Sequence, residues 1–357
     1  MVLNALSVVG FRNIDSADLL FSSDNSFLYG PNGAGKTSLL EAVFLLTNGK
    51  SFRGGGRQSL VGEGSSGFAL RGLVRDDKGI NSELRAVRYG KDTKILLNGT
   101  ALRNRSQLLR HVPVLAFSQE TLSRQISSSG SRRNILDWCL FHVEPGYHTV
   151  FEEYRSVLSH YNAALRKGID IGPWVEALVG SGIAVHKFRK RIGQALQDRF
   201  DSSQGKVVGL PAVALEYKRG WPEEATLPNH FAARAKEHQR LGYCSSGPHR
   251  GDLRIRGSRG DALNWASRGQ IKAYYYLLFI AMLDLVKSGI GIRPIALIDD
   301  LWSEFDSGLS SQMVDITVSN GGQSIFTGIE RRKSIITRHR MGLFHVEQGS
   351  VALAIQN

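Results

Sequence analysis

The chain has 357 residues, long enough for one large domain with an insertion or for two domains, and too long for a single small core. Its 42% hydrophobic and 22% charged residues exclude a largely disordered or fibrous protein. Lysine and arginine number 45 against 32 acidic residues, a net charge of +13 that attracts polyanions, either nucleic acid or an anionic membrane surface, without choosing between them.

At the N-terminus, MVLNALSVVGFRN lacks the basic start and long apolar run of a signal peptide, so a cytoplasmic protein is expected. Alternating apolar residues predict a strand over Leu3 to Val9 and a second over Ser26 to Tyr29, the latter running into a glycine-rich turn at Gly30 with a helix from Lys36. The glycine- and serine-rich stretch 51–67, SFRGGGRQSLVGEGSSG, reads as a mobile loop. Short alternating runs from Ala69 to Leu102 predict an antiparallel patch. Within them Asn98-Gly99 marks a type I′ hairpin, because both residues accept positive φ. Val112 to Phe117 reads as a buried strand followed by a polar turn at Ser118-Gln119-Glu120.

From about Ser131 to Gln239 the spacing becomes helical, as in RRNILDWCLF and WVEALVGSGIAVHKFRKRIGQALQDRF, which predicts a helical insertion. Cys139 and Cys244 are the only cysteines and have no near partner, which argues against a disulfide scaffold or zinc ribbon and suits a reducing compartment. The ten histidines show no metal-binding spacing, and His249 has no nucleophile pattern beside it and reads as structural. Leu277 to Val286, the most apolar run, is short of the ~20 residues that cross a bilayer and carries Asp284, so no membrane span is expected. IRPIALIDD and QSIFTGI read as buried parallel strands because they are almost continuously apolar.

Gly30-Pro-Asn-Gly-Ala-Gly-Lys-Thr matches the P-loop pattern between a strand and a helix. In such a loop the backbone N–H groups converge on phosphate oxygens at the positive end of the helix, Lys36 reaches the β and γ phosphates, and Thr37 ligates Mg²⁺. The loop needs a carboxylate at the end of a neighbouring strand, and the run ending in Asp299 and Asp300 supplies two. Asp299 is expected to hold Mg²⁺ directly or through water, and Asp300 to orient or deprotonate an attacking water. ASRGQ, at 266 to 270, reads as a helix start led by a serine and a glycine and suited to an anion.

The order GPNGAGKT, a glutamine turn, ASRGQ and LIDDLWSEFD resembles an ABC-type ATPase head. Within that superfamily the chain is similar to the RecF family, through FRN at 11–13, NGAGKTSLLEA at 32–42, SFR at 51–53, LNG at 97–99, FSQE at 117–120, SRRNILD at 131–137, GPHRGDL at 247–253, and SRGQ with Lys272. The resemblance implies an α/β P-loop head with a mixed sheet and an antiparallel β patch, split over 1–130 and 240–357, with a helical inserted lobe at 131–239. It implies ATP and Mg²⁺ as cofactors, ATP-dependent homodimerisation on DNA, duplex as well as gapped or single-stranded, and slow hydrolysis that resets the dimer. Work with RecR and RecO in loading RecA during DNA repair, replication and the SOS response is also implied.

By the same resemblance Arg12, Gly30, Asn32, Gly33, Ala34, Gly35, Lys36, Thr37 and Ser38 surround the nucleotide. Ser267, Arg268, Gly269 and Gln270 act on the nucleotide of a second head. Gln119 senses metal or water, Asp299 is the metal acid, Asp300 holds the catalytic place, and Asp306 belongs to the loop beside the dimer seam. Departures from the family pattern are Gln119 for proline, Asn134 for arginine, Gly251 for an acid and Ala266 for leucine; Thr327 lies in the region where transporter heads carry a switch histidine.

For DNA, basic clusters occur at 132–134, 186–194 and 330–340, and Lys187, Arg189, Lys190 and Arg191 on a helix of the inserted lobe are expected to meet phosphates. Tyr274, Tyr275 and Tyr276 are expected to pack internally. Competing readings are a degenerate DNA-binding homologue with little hydrolysis, a transporter ATPase subunit and a small-molecule kinase. The RecF-type motifs argue against the transporter, and the ASRGQ motif and late twin acids against the kinase.

Overall fold

The computed structural model describes residues 1–22, 24–54, 57–90, 92–102, 108–109, 111–303 and 305–353. The chain divides into two compact units, 1–122 with 206–208 and 286–357, and 123–205 with 209–285.

The first unit holds two six-stranded sheets. β1 (Val2–Phe11), β2 (Ile14–Leu20), β4 (Gly67–Arg75), β5 (Asn81–Tyr89), β6 (Asp92–Leu97) and β7 (Thr100–Ala101) form an antiparallel sheet in the order β2-β1-β4-β5-β6-β7. Its strands bury alternate residues, such as Phe68, Leu70 and Val74 of β4, as expected for a sheet with one face on a core. The β6–β7 turn is the hairpin expected at Asn98-Gly99, with φ of 49° and 80° and Leu97 paired to Thr100.

β3 (Asn25–Tyr29), β8 (Val114–Phe117), β12 (Ile295–Ile298), β13 (Ser324–Gly328), β14 (Gly342–Glu347) and β15 (Ser350–Leu353) form the second sheet, ordered β15-β14-β3-β13-β12-β8. All its pairings are parallel except that of the edge strand β15. Helix α1 (Lys36–Asn48) packs against β1, β4 and β5 of one sheet and β8, β12 and β13 of the other, which explains why it is buried nearly all round instead of showing one apolar stripe.

Three expectations for this unit are corrected. Strand β2 adds to the expected strands: IDSADLL alternates buried and exposed residues, but its two adjacent acid-and-serine positions weaken the apolar pattern. Residues 55 and 56 of the stretch 51–67 lie outside the described residues, but its described part is not an unpacked loop: Phe52 is 3% and Leu60 5% exposed, Gly62 N–H bonds Gly10 O at 2.8 Å, and Gly67 opens β4. The polar residues at 118–120 do not make a free turn either. Gln119 starts helix α2 (Gln119–Ser127), and Ser118 and Thr121 exchange backbone and hydroxyl hydrogen bonds at its first turn.

The second unit contains α3 (Ser129–Val143), α4 (Tyr147–Lys167), α5 (Gly172–Gln204), α6 (Leu227–Ala233), α7 (Ala235–Leu241), most of α8 (Arg268–Ile290), and a three-stranded sheet. That sheet joins β9 (Val213–Lys218), β10 (Asp252–Gly257) and β11 (Gly260–Asp261) in the order β11-β10-β9. The helical stretch expected at 131–239 therefore includes a strand, and its compact unit reaches from Ser123 to Leu285, because β9 packs on α5 and β10 on α3. Helix α8 is long and apolar enough to cross a membrane, yet 72% of its most apolar window is buried within the protein, the setting of a core helix. Tyr274, Tyr275 and Tyr276 lie on it at 0%, 3% and 0% exposure, packed internally as expected. The last helices, α9 (Ser307–Ser319) and α10 (Lys333–Arg338), belong to the first unit.

Candidate functional site

The phosphate loop leaves the C-terminal end of β3 in a parallel sheet, the end at which open α/β sheets place their ligands. Gly30 passes so close to β14 that a Cβ there would lie 2.0 Å from Val346 O, so only glycine fits. At Gly35, the N-cap of α1, the backbone has φ 113° and ψ 1°, open to glycine alone, and this turns the loop into the helix. Asn13 braces the loop from outside: its Nδ2 donates to Gly33 O at 2.7 Å and its Oδ1 accepts from Ser38 Oγ at 2.8 Å. Asn32 stands exposed at the tip and Ala34 is buried.

Lys36 Nζ donates to Gly30 O at 2.9 Å and Pro31 O at 2.8 Å, inside the curve of the loop. Burial lowers its pKa, opposed by the negative charges of Asp299 and Asp300, so an anion beside the amine would further favour its charged form. Thr37 Oγ1 lies 3.0 Å from each carboxylate oxygen of Asp299, across 262 residues of sequence. The carboxylate is positioned by β12, whose continuation is fixed by the Asp299 N–H bond to Phe117 O at 2.9 Å. Burial raises the Asp299 pKa, and the hydroxyls of Thr327 and Thr37 oppose the rise. A hydroxyl and a carboxylate converging in this way form a hard oxygen donor set, the kind that suits Mg²⁺.

Asp300 follows with φ 47°, a left-handed conformation that aspartate tolerates better than most residues. Asp299 bonds Thr37, while Asp300 lines a small cleft with Trp302, Ser303, Gly328, Ile329, Glu330 and Arg332, and both acids act on the charge of Lys36. Gln119 is exposed at the start of α2. Asp306 caps α9 by accepting from Leu309 N–H at 2.8 Å.

In the second unit, Ser267 and Gln270 form a reciprocal capping box at the start of α8. Ser267 Oγ accepts from Gln270 N–H at 3.2 Å and Gln270 Oε1 accepts from Ser267 N–H at 3.0 Å. Ser267 and Arg268 are exposed there, and Gly269 is partly so.

The RecF/RecN/SMC N-terminal domain family matches residues 2–352 of the chain. DNA replication and repair protein RecF of Shewanella baltica (strain OS155 / ATCC BAA-1091) is 31% identical over 361 residues, covering 99% of each chain. The protein of the same name from Edwardsiella ictaluri (strain 93-146) is 30% identical, covering 99% of this chain and 100% of its own. The chain belongs to the RecF family. The fold agrees: a solved structure described as the recombination mediator protein RecF-ATP in the RecFOR pathway superposes with a TM-score of 0.85 at 24% identity, over 99% of this chain and 97% of that one. The Smc head of Pyrococcus furiosus superposes with a TM-score of 0.61 at 14% identity, over 99% and 95%. The chain is thus an α/β P-loop head with a mixed and an antiparallel sheet, like the RecF and SMC heads.

Other RecF-motif residues are tied to one another. Arg12 is bound to α1: Nε and Nη2 reach the Glu41 carboxylate at 3.0 and 2.7 Å, and Nη1 reaches Ser59 O at 2.7 Å. Glu41 is 0% exposed and also accepts from Ser51 Oγ, so FRN, LLEA and SFR meet around one buried carboxylate. Sequence reasoning missed Glu41 as a site-supporting residue, although an acid on an otherwise apolar helix was a visible signal.

Arg189 is not a free DNA-binding cation. It is 2% exposed, makes a two-pronged pair with Asp137 at 2.7 and 2.8 Å, and donates to Pro248 O at 2.7 Å. The cluster at 132–134 is also internally engaged: Arg132 forms a two-pronged pair with Asp252, 2.8 Å on each arm, and Arg133 donates to Gly251 O at 2.6 Å. At 330–340, Arg331 lies over the Tyr29 ring, Arg338 and His339 approach Asp315, and Arg332 and Lys333 are exposed. Lys187, Lys190 and Arg191 are all exposed on α5, with Arg191 2.5 Å from Glu144. His249 is structural: Nδ1 lies 2.6 Å from the Tyr154 hydroxyl and Nε2 2.9 Å from Cys244 O, and burial pushes its pKa down to about 4.

Proposed function

We propose that the protein is a DNA-binding ATPase of DNA replication and recombinational repair, whose ATP state controls head-to-head dimerisation. The observation that carries the reading is the convergence of Lys36, Thr37, Asp299 and Asp300 at one end of the parallel sheet, in a chain whose relatives are named DNA replication and repair proteins.

Lys36 leaves the Gly30 and Pro31 carbonyls for the β and γ phosphates of ATP, and the loop amides from Asn32 to Thr37, with Ser38, surround them. Mg²⁺ held by Thr37 and Asp299 would neutralise charge that develops on the phosphates. Asp300 accepts the proton of the attacking water or orients it, and Gln119 reports on the occupied site. Ser267 with Arg268, Gly269 and Gln270, at a helix N-terminus open to solvent, meets the γ-phosphate bound by a second copy. Hydrolysis then releases the dimer. The functional division proposed is a head of 1–130 and 240–357 with an inserted lobe of 131–239. Action in the cytoplasm with RecR and RecO, supporting RecA at single-strand gaps, completes the reading.

Molar mass by light scattering tests it, with no nucleotide, with ADP, and with ATP and Mg²⁺, each with and without duplex DNA. Wild type is expected to double in mass with ATP only, and Lys36→Arg and Ser267→Arg to remain monomeric. An ATP-independent mass in wild type, or a Lys36→Arg variant that dimerises and turns over normally, overturns the reading.

For DNA, phosphate binding by Lys187 and Lys190 makes affinity salt-dependent. Lys187→Glu/Lys190→Glu is expected to lower affinity and to flatten the log K against log salt slope by about 0.9 for each phosphate no longer neutralised, with ATP turnover unchanged. An unchanged slope in a filter-binding or anisotropy titration removes this face of α5 from the DNA surface.

A further inference from the structure

Strand β13 lies between β3, which leads into the phosphate loop, and β12, which leads into the two acids. A side chain near the C-terminal end of β13 therefore stands between the two halves of the site. That position is Thr327, 0% exposed, in register with Leu28 on one side and one residue beyond the Ile298–Phe326 pair on the other. Its hydroxyl does two things at once: it donates to Asp299 Oδ1 at 2.7 Å and accepts the backbone N–H of Asp300 at 3.0 Å. A hydroxyl has one proton and two lone pairs, so both bonds can be made together. No backbone carbonyl could do the same, because one partner needs a donor and the other an acceptor.

We propose that Thr327 is the positioning residue of the hydrolytic site, fixing Asp299 against Thr37 and holding the left-handed turn that sets the place of Asp300. The inference rests on the ATPase reading above and adds a residue to it. Asp299 has two hydroxyl partners, Thr37 from the first turn of α1 and Thr327 from the end of β13. With both in place the carboxylate is confined on each side. Without Thr327 only the Thr37 hydroxyl restrains it, and the Asp300 N–H, bonded to Thr327 Oγ1, loses its acceptor. The strained φ of 47° at Asp300 then loses the bond that holds it, and the acid is no longer fixed relative to the cleft it lines with Gly328 and Trp302. Thr327 touches neither phosphate nor water in this scheme; it acts through the two aspartates.

The test compares Thr327→Val, which keeps the shape and removes the hydroxyl, with Thr327→Ser, which keeps the hydroxyl and removes the methyl. A fluorescent ATP analogue is titrated in EDTA and in Mg²⁺, and ATP turnover is followed separately. The valine variant is expected to bind in EDTA within about threefold of wild type, to lose about 10- to 100-fold of the Mg²⁺-dependent gain in affinity, and to lose kcat by a similar factor, the size set by hydrogen bonds to charged groups. The serine variant is expected to recover both to within about threefold. Thr327→Ala removes the same hydroxyl and carries the test should the valine variant melt early. A valine variant with wild-type Mg²⁺ gain and kcat overturns the proposal, and so does a serine variant as defective as valine, which would assign the effect to packing. Wild-type protein with neither Mg²⁺ gain nor turnover overturns the ATPase reading itself, a different result from a silent substitution in an active enzyme.

Discussion

Asp300→Asn is expected to lower ATP turnover by about 10²- to 10⁴-fold, the span that a positioned general base contributes. Asparagine has nearly the same shape and tolerates a left-handed backbone, so the turn at φ 47° is kept and the loss is confined to the carboxylate. In the proposed reading nucleotide binding runs through Lys36, Thr37 and Asp299, none of which changes, so an ATP-induced dimer is expected to form and to outlive that of wild type. Single-turnover hydrolysis read beside light scattering checks both parts. Turnover within about twofold of wild type, far short of the span of a general base, would remove Asp300 from the catalytic place. Loss of the dimer together with turnover would place Asp300 in binding instead.

Arg189→Met is expected to cost about 3 to 5 kcal/mol of stability, the range for breaking one side of a buried ion pair. The Asp137 carboxylate, 14% exposed, loses both arms of its guanidinium partner, and Pro248 O loses its donor. Tyr147 also donates to Asp137 at 2.6 Å and is left supporting an otherwise unpaired charge. At about 2 to 4 °C per kcal/mol for a unit of this size, the drop in melting temperature is on the order of 6 to 20 °C. Arg189→Met/Asp137→Leu removes both charges, so part of the lost stability is expected to return. A single variant with an unchanged melting curve and weakened DNA binding would mean that Arg189 faces solvent and DNA after all.

Arg189 also shows how a local reading goes astray. In HKFRKR it sits in a dense run of cations, which suggests a charged surface. Along α5, however, the buried positions include Leu178, Gly182, Val185, Arg189, Ile192, Leu196 and Phe200, a spacing of three and four that places Arg189 on the apolar stripe. That periodicity is present in the sequence and is a better guide than the charge of the run. Nothing in the sequence names its partner, since Asp137 lies 52 residues away on another helix. Arg132 is a similar case, paired with Asp252 across 120 residues.

Other features were legible because they are local. A glycine-rich turn between a strand and a helix, twin acids after an apolar run, an Asn-Gly hairpin and a serine followed three residues later by glutamine each encode a backbone conformation within a few residues. The loop at 30–37, the hairpin at 98–99, the parallel strands β12 and β13 and the cap at Ser267 follow from such patterns. They point to a phosphate-suited loop beside parallel strands, and the order of the motifs carries the resemblance from which the fold class was expected.

Only the tertiary structure decided which polar groups are free and which are committed. Glu41 takes Arg12 and Ser51, Asp252 takes Arg132, and Thr327 joins Asp299 to Asp300 because β13 is inserted between β3 and β12. The physical reason is that a buried charge or hydroxyl must find its partner wherever the chain brings one. That depends on strand order and on packing between segments far apart in the chain. Motifs and periodicity, which reach only a few residues along it, do not carry that information.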